Sequence, residues 1–587
     1  MARGVEPLRR PLSARCPVTA LALAGLLGLF AAVAAQGAWR PYLFDEANFL
    51  FQARAIVETG VPYANMGYLG DRGRVTSREQ YGLWHPPLYL YLLGLNVGLF
   101  HADERAARGM GIAIMALTAL AVYGLGHTVA GGGRRGRTCG LLASALFLAS
   151  PLVVQSATVI DIDGTLLLLA MSCWTLLFLR WETAADRRRL ATLGALFGLA
   201  LWTKTTTPLA LVGVVALYQT LAGRPRLGLR QAAAIVLVGV PLFLGSWWLV
   251  ATALRLPFEM PFQWTAWELF DASKYTRSWL GDLERMRGEL APPLVWASPY
   301  LVAAFGALAL ARAASWWRTR RAAPVDFLIL LGALIFVAYF IKLAANFPKY
   351  HVGMLPYWSA ALAWWLIDWL TRASRRERLV YLGALAAALI GFQAAVRDHW
   401  MWTTALVWEP AVLGPALVLF VLATAAALRP RWRVWAPRLT AALLVLYVGW
   451  ALPTDAAQAR ADYSTSYYYG TRGQREAAAL LDTLGYDGPW IGPKEVAWYA
   501  RNKLYIDADS FWWLVIAQRF RFEGQVLGYD VGVVVPWTMD PEVRSFFWEQ
   551  LTGRFDPVAE VEDYAAWVRR DRPRATQAHA EAPHDRP

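Results

Sequence analysis

Residues 85–100 read HPPLYLYLLGLNVGLF, and the threading of the whole chain turns on whether they cross a membrane. The stretch is apolar, yet after Pro86 and Pro87 it falls short of the roughly 20 residues that a helical span needs. The basic clusters decide the matter. GGGRRGR at 131–137, ADRRR at 185–189, GRPRLGLR at 223–230, RTRR at 318–321, RASRRER at 372–378 and RPRWR at 429–433 fall at every second connection between apolar runs. That alternation marks cytoplasmic loops, where Lys and Arg are retained. Counting 85–100 as a span would put every one of these clusters outside. The stretch is therefore read as a juxtamembrane helix on the outer interface, with His85 at its start and Tyr89 and Tyr91 suited to headgroup depth.

The other apolar runs are 17–38, 109–130, 139–157, 164–181, 190–203, 206–222, 231–254, 293–311, 325–344, 352–371, 378–396, 404–428 and 437–453. About 13 transmembrane helices result, with a cytoplasmic N-terminus and an external C-terminus. Composition agrees: 587 residues, 57% of them hydrophobic and 17% charged, with 30 tryptophans, lie far from an average soluble domain. The net charge of +14 belongs to loop clusters, so no nucleic-acid partner is expected. The first run ends in AVAAQ, which offers small residues for signal cleavage. It exceeds the roughly 7–15 residues of a signal core, and is read as a retained helix held inside by Arg9, Arg10 and Arg15. Cys16, Cys139 and Cys173 lack CxxC or zinc-site spacing and are expected to be buried, reduced thiols.

With this threading, 39–108 is one large external loop, and FDEANF at 44–49 places Asp45 and Glu46 where the first span leaves the bilayer. TVIDIDGT at 158–165 puts Asp161 and Asp163 on the same side, and TKTT and NFPKYH add Lys204, Lys349 and His351. A plainer reading of Asp45 and Glu46 is a solvated helix boundary, the acids serving as cap and dipole partners of EANFLFQARAIVETG. That is adequate for Glu46. It leaves unexplained a second acidic pair and several cations at the same depth. A carboxylate to take the acceptor proton, beside cations that stabilise a departing phosphate, is what sugar transfer from a lipid phosphate requires. The lipid tail would lie between spans. Such acids also ligate divalent ions, but their spacing assigns no metal and no cofactor is certain.

FDEANF, then HPPLYLYLLG, SATVIDIDGTLLLL and LALWTKTTTPLAL, with a weaker echo in KYHVGMLPYWSAAL, resembles the GT-C superfamily of integral-membrane glycosyltransferases over roughly residues 17–225. The nearest branches are the dolichyl-phosphate-mannose protein mannosyltransferases and the aminoarabinose and RgtA-like transferases. The resemblance implies Asp45 as general base or acceptor-orienting carboxylate, supported by Glu46. It favours Asp163, in DGTL, over Asp161, whose plainer role is a loop or cap acid. Lys204 matches the lysine of a TKG-like turn, with Thr205 in place of glycine; the plainer alternative is a lysine snorkelling from a helix end. His85 takes the position before PPL and is otherwise a surface residue at an interface. Lys349, Tyr350 and His351 fall in the segment where family members meet the donor phosphate. Several relatives carry a basic residue three positions after the first acid, where this chain has Asn48.

After 453 the hydrophobic spans stop. REAAALLDTLG reads as helix, WIGPK as strand, VAWYARN as helix, LYIDA and YDVGVVVPW as strands and DPEVRSFFWEQL as helix, followed by a disordered tail from about Arg569. The expected architecture is a polytopic α-helical membrane domain, 1–453, followed by an external soluble α/β domain, 454–587. The expected function is a membrane glycosyltransferase of the cytoplasmic membrane. It would move a sugar from a polyprenyl-phosphate donor to a protein, lipid or glycan acceptor, with its active site on the outer side. The alternatives are a polytopic transporter, whose polar site would lie nearer the bilayer midplane, and a non-catalytic envelope protein.

Overall fold

A computed structural model describes residues 17–63, 81–270 apart from 84 and 102, 299–343, 348–371, 472–485, 490–501, 505–507, 533–536 and 555–570, with isolated positions between 374 and 435. In chain order the helices are α1 (Pro17–Ala35), α2 (Phe44–Thr59), α3 (Leu88–Phe100), α4 (Glu104–Val129), α5 (Gly133–Leu148), α6 (Pro151–Ala157) and α7 (Leu166–Arg180). There follow α8 (Arg187–Leu201), α9 (Leu209–Leu221), α10 (Pro225–Leu254), α11 (Met260–Phe270), α12 (Pro299–Thr319) and α13 (Pro324–Leu343). A 3₁₀ turn (Pro348–Met354) then leads into α14 (Leu355–Thr371). The chain clusters into two compact units, one of Met1–Ala38, Arg108–Leu249 and Phe262–Arg460, the other of Trp39–Ala107, Val250–Pro261 and Ala461–Pro587. The sequence reading drew its boundary at 453/454; by contacts, the loop after α1 groups with the C-terminal segment instead.

In the first unit, α1, α4 and α10 are long and apolar enough to cross a membrane, with 19, 26 and 30 residues. The last three expected spans, 378–396, 404–428 and 437–453, lie almost wholly outside the described residues. The run 139–157 was expected as one span and is two helices, because Pro151 lacks the N–H that would continue α5 and instead starts α6 at its first position. Helices approach through glycines. A Cβ on Gly140 of α5 would lie 2.7 Å from the Tyr123 carbonyl of α4, and one on Gly239 of α10 would lie 2.5 Å from the Gly194 carbonyl of α8. Gly136/Gly140 and Gly194/Gly198 have the spacing by which small residues let membrane helices pack backbone to backbone. Arg135 pairs with Asp368 at 2.7 Å, tying α5 to α14. Of the cysteines, Cys139 is buried as expected, but Cys173 is exposed on α7. A helix of uniformly apolar character presents whichever residue its outer face holds.

In the second unit, α3 packs along α2, burying Tyr89, Leu90, Leu93, Gly94 and Val97 and leaving Leu95, Leu99 and Phe100 exposed. Its 13 residues reach about 20 Å, too short for a bilayer core. The exposed apolar edge suits an interface, but Tyr89 does not serve as a headgroup anchor. It is buried against Phe49, ring centroids 5.9 Å apart, and the Tyr91 hydroxyl donates to the Gly60 carbonyl at 3.0 Å.

The C-terminal part contributes α15 (Gln474–Thr483), β1 (Trp490–Gly492), α16 (Lys494–Tyr499), β2 (Tyr505–Asp507), β3 (Val533–Pro536), β4 (Phe555–Val561) and β5 (Tyr564–Arg569). The sheet runs β2-β1-β3-β5-β4, with β1 parallel to β2 and β3, and β5 antiparallel to β3 and β4. The expected helix DPEVRSFFWEQL and the tail after 570 lie outside the described residues. Within this unit α2 packs on α16: Phe51 meets Trp498 edge-on at 5.0 Å, and the Tyr42 N–H donates to the Tyr499 hydroxyl at 2.9 Å. That hydroxyl donates onward to Glu104, 2.9 Å away, which also receives Arg475. These bonds explain why the first loop groups with sequence 400 residues downstream.

Candidate active site

In the first unit the chemistry gathers between α6 and α7. The connection 158–165 is an interior segment: Asp161 is 3% exposed, Asp163 8%, and the hydrophobic residues around them are buried. The Asp163 N–H donates to Asp161 Oδ1 at 3.0 Å, and the Thr165 hydroxyl donates to the Asp161 carbonyl. Asp161 thus shapes the turn that presents Asp163. Gly164 must be small, since a Cβ there would lie 2.9 Å from Ser156 Cβ.

Lys204 closes the arrangement. It follows α8, and its ammonium donates to both oxygens of Asp163, at 2.9 and 3.0 Å. Lys204 is 3% exposed, so it does not snorkel to solvent. The turn that delivers it is fixed on both sides: the Trp202 indole donates to Ser246 Oγ at 2.8 Å, and the Thr203 hydroxyl to the Ala200 carbonyl at 2.6 Å. Thr205, the next residue, shares a hydrogen bond with Thr265 on α11. Two charges buried together need such geometry, since separation would strand either one in a medium that solvates it poorly. The sequence indicated Asp163 and Lys204 at two separate connections. That they form one pair is visible only in three dimensions.

Lys349, Tyr350 and His351 lie on the 3₁₀ turn, which packs against α6 and α13. The His351 ring is buried, 5.5 Å from Phe336, and burial pushes its pKa from 6.5 down to about 3. It is a neutral imidazole at physiological pH, not a cation for a phosphate. As pH falls below 6.5 the unfolded chain takes up a proton that the folded His351 refuses until about 3, so folded-state stability drops across that window. Thermal midpoints from pH 7 to pH 5 should therefore fall, and fall less in a His351→Gln variant.

In the second unit Glu46 is fully buried and its Oε2 accepts the Leu43 N–H at 2.9 Å, closing the start of α2. This is the helix-boundary role that the sequence allowed. Asp45 is the second residue of that helix, where the N-terminal dipole favours a negative charge. His85 is half-buried just before α3.

Among the described residues no three His, Cys, Asp or Glu side chains cluster as metal ligands. Asp163 already has an ammonium on both oxygens and Asp161 Oδ1 a backbone N–H, a donor set that fits a hard divalent ion poorly.

Residues 84–248 match the model of the dolichyl-phosphate-mannose-protein mannosyltransferase family, a stretch that contains His85, Asp161, Asp163 and Lys204. The structure of ArnT from Cupriavidus metallidurans bound to undecaprenyl phosphate matches with a TM-score of 0.55 at 18% identity, over 94% of this chain and 98% of that one. The same protein in the apo state matches with a TM-score of 0.52 at 18% identity and the same coverage. No curated protein sequence matches. The chain shares the fold of these two ArnT structures along nearly its whole length.

Proposed function

We propose that this protein is a membrane glycosyltransferase that moves a sugar from a polyprenyl-phosphate donor to a protein, lipid or glycan acceptor on the outer side of the cytoplasmic membrane. The buried Asp163–Lys204 pair, inside the stretch that matches the mannosyltransferase family, carries this reading. The undecaprenyl phosphate bound to the ArnT structure supports the donor class. In the reaction the acceptor atom bonds to the anomeric carbon as its proton passes to Asp45. The bond from that carbon to phosphate oxygen breaks, and polyprenyl phosphate leaves with the electron pair. Glu46 fixes the start of the helix that bears Asp45, and Asp161 orders the turn that bears Asp163. Asp163 holds Lys204 in place, and Lys204 and Lys349 stabilise the charge that grows on the leaving phosphate. Tyr350, His85 and the neutral His351 contribute hydrogen bonds to substrate.

The outer-side assignment makes its own prediction. With a membrane-impermeant thiol reagent on sealed cells, in a Cys-free background, Arg105→Cys should be labelled and Arg134→Cys should not. The reverse pattern would turn the whole threading over. Mass spectrometry of envelope glycans, glycolipids and glycoproteins from cells with and without the gene tests the function: one sugar modification should disappear with the gene. An unchanged envelope, with altered uptake of a small solute, would favour a transporter.

A further inference from the structure

We propose that Gln52 is a substrate-binding residue that hydrogen-bonds a sugar hydroxyl, an inference that rests on the glycosyl-transfer reading above. Gln52 lies on α2, 0% exposed, and neither Nε2 nor Oε1 has a hydrogen-bond partner among the described residues. Native interiors rarely leave an amide so. What covers it is backbone. A Cβ on Gly82 would lie 2.1 Å from Gln52 Cδ, so the glycine rests directly on the amide with no side chain between.

Gly82 is held there by bonds of its own. Its N–H donates to the Pro62 carbonyl at 2.8 Å, and next to it Tyr63 and Tyr81 form an antiparallel bridge with their rings stacked 5.2 Å apart. The cover therefore needs the volume of residue 52 but not its polarity. Methionine would fill the same space without stranding a donor and an acceptor. The fold leaves the amide unexplained.

Its position supplies a use. Seven residues after Asp45, position 52 falls on the same face of α2, about 10 Å further along, with the buried Asn48 between them on that side. A substrate engaged at position 45 would extend along a face bearing two neutral amides. An amide both donates and accepts, and a hydroxyl does the same. A phosphate or carboxylate would instead call for donors and positive charge. The hydroxyl belongs to the donor sugar or to an acceptor sugar, and kinetics separates the two.

The test uses the purified full-length protein, wild type and Gln52→Met, with a polyprenyl-phosphate hexose as donor, each substrate varied in turn and thermal midpoints measured in parallel. Gln52→Met should be at least as stable as wild type, yet show a KM about tenfold higher for one substrate. A rise confined to the donor assigns the hydroxyl to the donor sugar, and a rise confined to the acceptor assigns it there. Unchanged KM values for both would overturn the proposal. If Gln52→Met does not fold, Gln52→Glu, which keeps the shape and loses the donor N–H groups, is judged by the same criterion. A wild-type protein that transfers no sugar would sink the glycosyl-transfer reading, and this inference with it.

Discussion

Lys204→Met should destabilise the protein by about 3–5 kcal/mol, the typical penalty for stranding one member of a buried ion pair. Both Asp163 oxygens lie within 3.0 Å of the Lys204 ammonium, and both side chains are nearly inaccessible to water. Removing the ammonium leaves a carboxylate in an interior that solvates it poorly. Asp163→Asn should have a smaller effect of the same sign, because the amide keeps a polar oxygen for Lys204. The informative variant is the double one. Replacing a buried pair by apolar residues of similar volume is often neutral for stability. Lys204→Met with Asp163→Leu should therefore recover most of the thermal midpoint in detergent while sugar transfer stays lost. Recovery of both stability and transfer would reduce the pair to a structural tie between the α6–α7 connection and the turn after α8.

The second large effect is expected at Asp45. Asp45→Asn keeps the size of the side chain but cannot take a proton from the acceptor. Loss of a general base typically removes about 10²–10⁴-fold in rate. Folding and membrane insertion should be unaffected, because the N-terminus of α2 retains the Glu46 bond to the Leu43 N–H. The control is Glu46→Gln. It should weaken that bond and lower the thermal midpoint, with less effect on transfer than Asp45→Asn. If Asp45→Asn turned over like wild type, the proton would have to leave by another route.

Much of this architecture was legible because a bilayer imposes simple rules. Apolar runs located α1, α4, α7 to α10, α13 and α14, and loop arginines made α3 a non-spanning helix whose 13 residues agree with that reading. The rules gave out where structure depends on tertiary contact. Pro151 splits an apolar run that looked continuous, since hydropathy does not register a missing N–H. Tyr89 looked like an interfacial anchor by type and is buried by its pairing with Phe49. The β4–β5 hairpin was missed because Phe555–Val561 carries polar residues on its exposed face, and Glu562 supplies the positive φ of the turn without a glycine to announce it.

The site shows the same division. Motif order singled out Asp163 and Lys204, but nothing in a linear reading joins residues 41 apart into a bidentate pair. His351 could act as a cation only when protonated, and burial holds its imidazole neutral well below the ordinary histidine range. Gln52 drew no attention at all, since an isolated glutamine in a helix carries no pattern. Only the absence of partners among the described residues, under Gly82, gives it meaning.

The most direct test of the central claim is transfer by the purified protein, reconstituted in lipid nanodiscs with a polyprenyl-phosphate sugar labelled in the sugar and an extract of envelope acceptors. Label should move to one acceptor class as free polyprenyl phosphate appears in equal amount, and Asp45→Asn should do neither. Release of polyprenyl phosphate without labelled acceptor, or no reaction across donors that the wild-type protein demonstrably binds, would contradict the account.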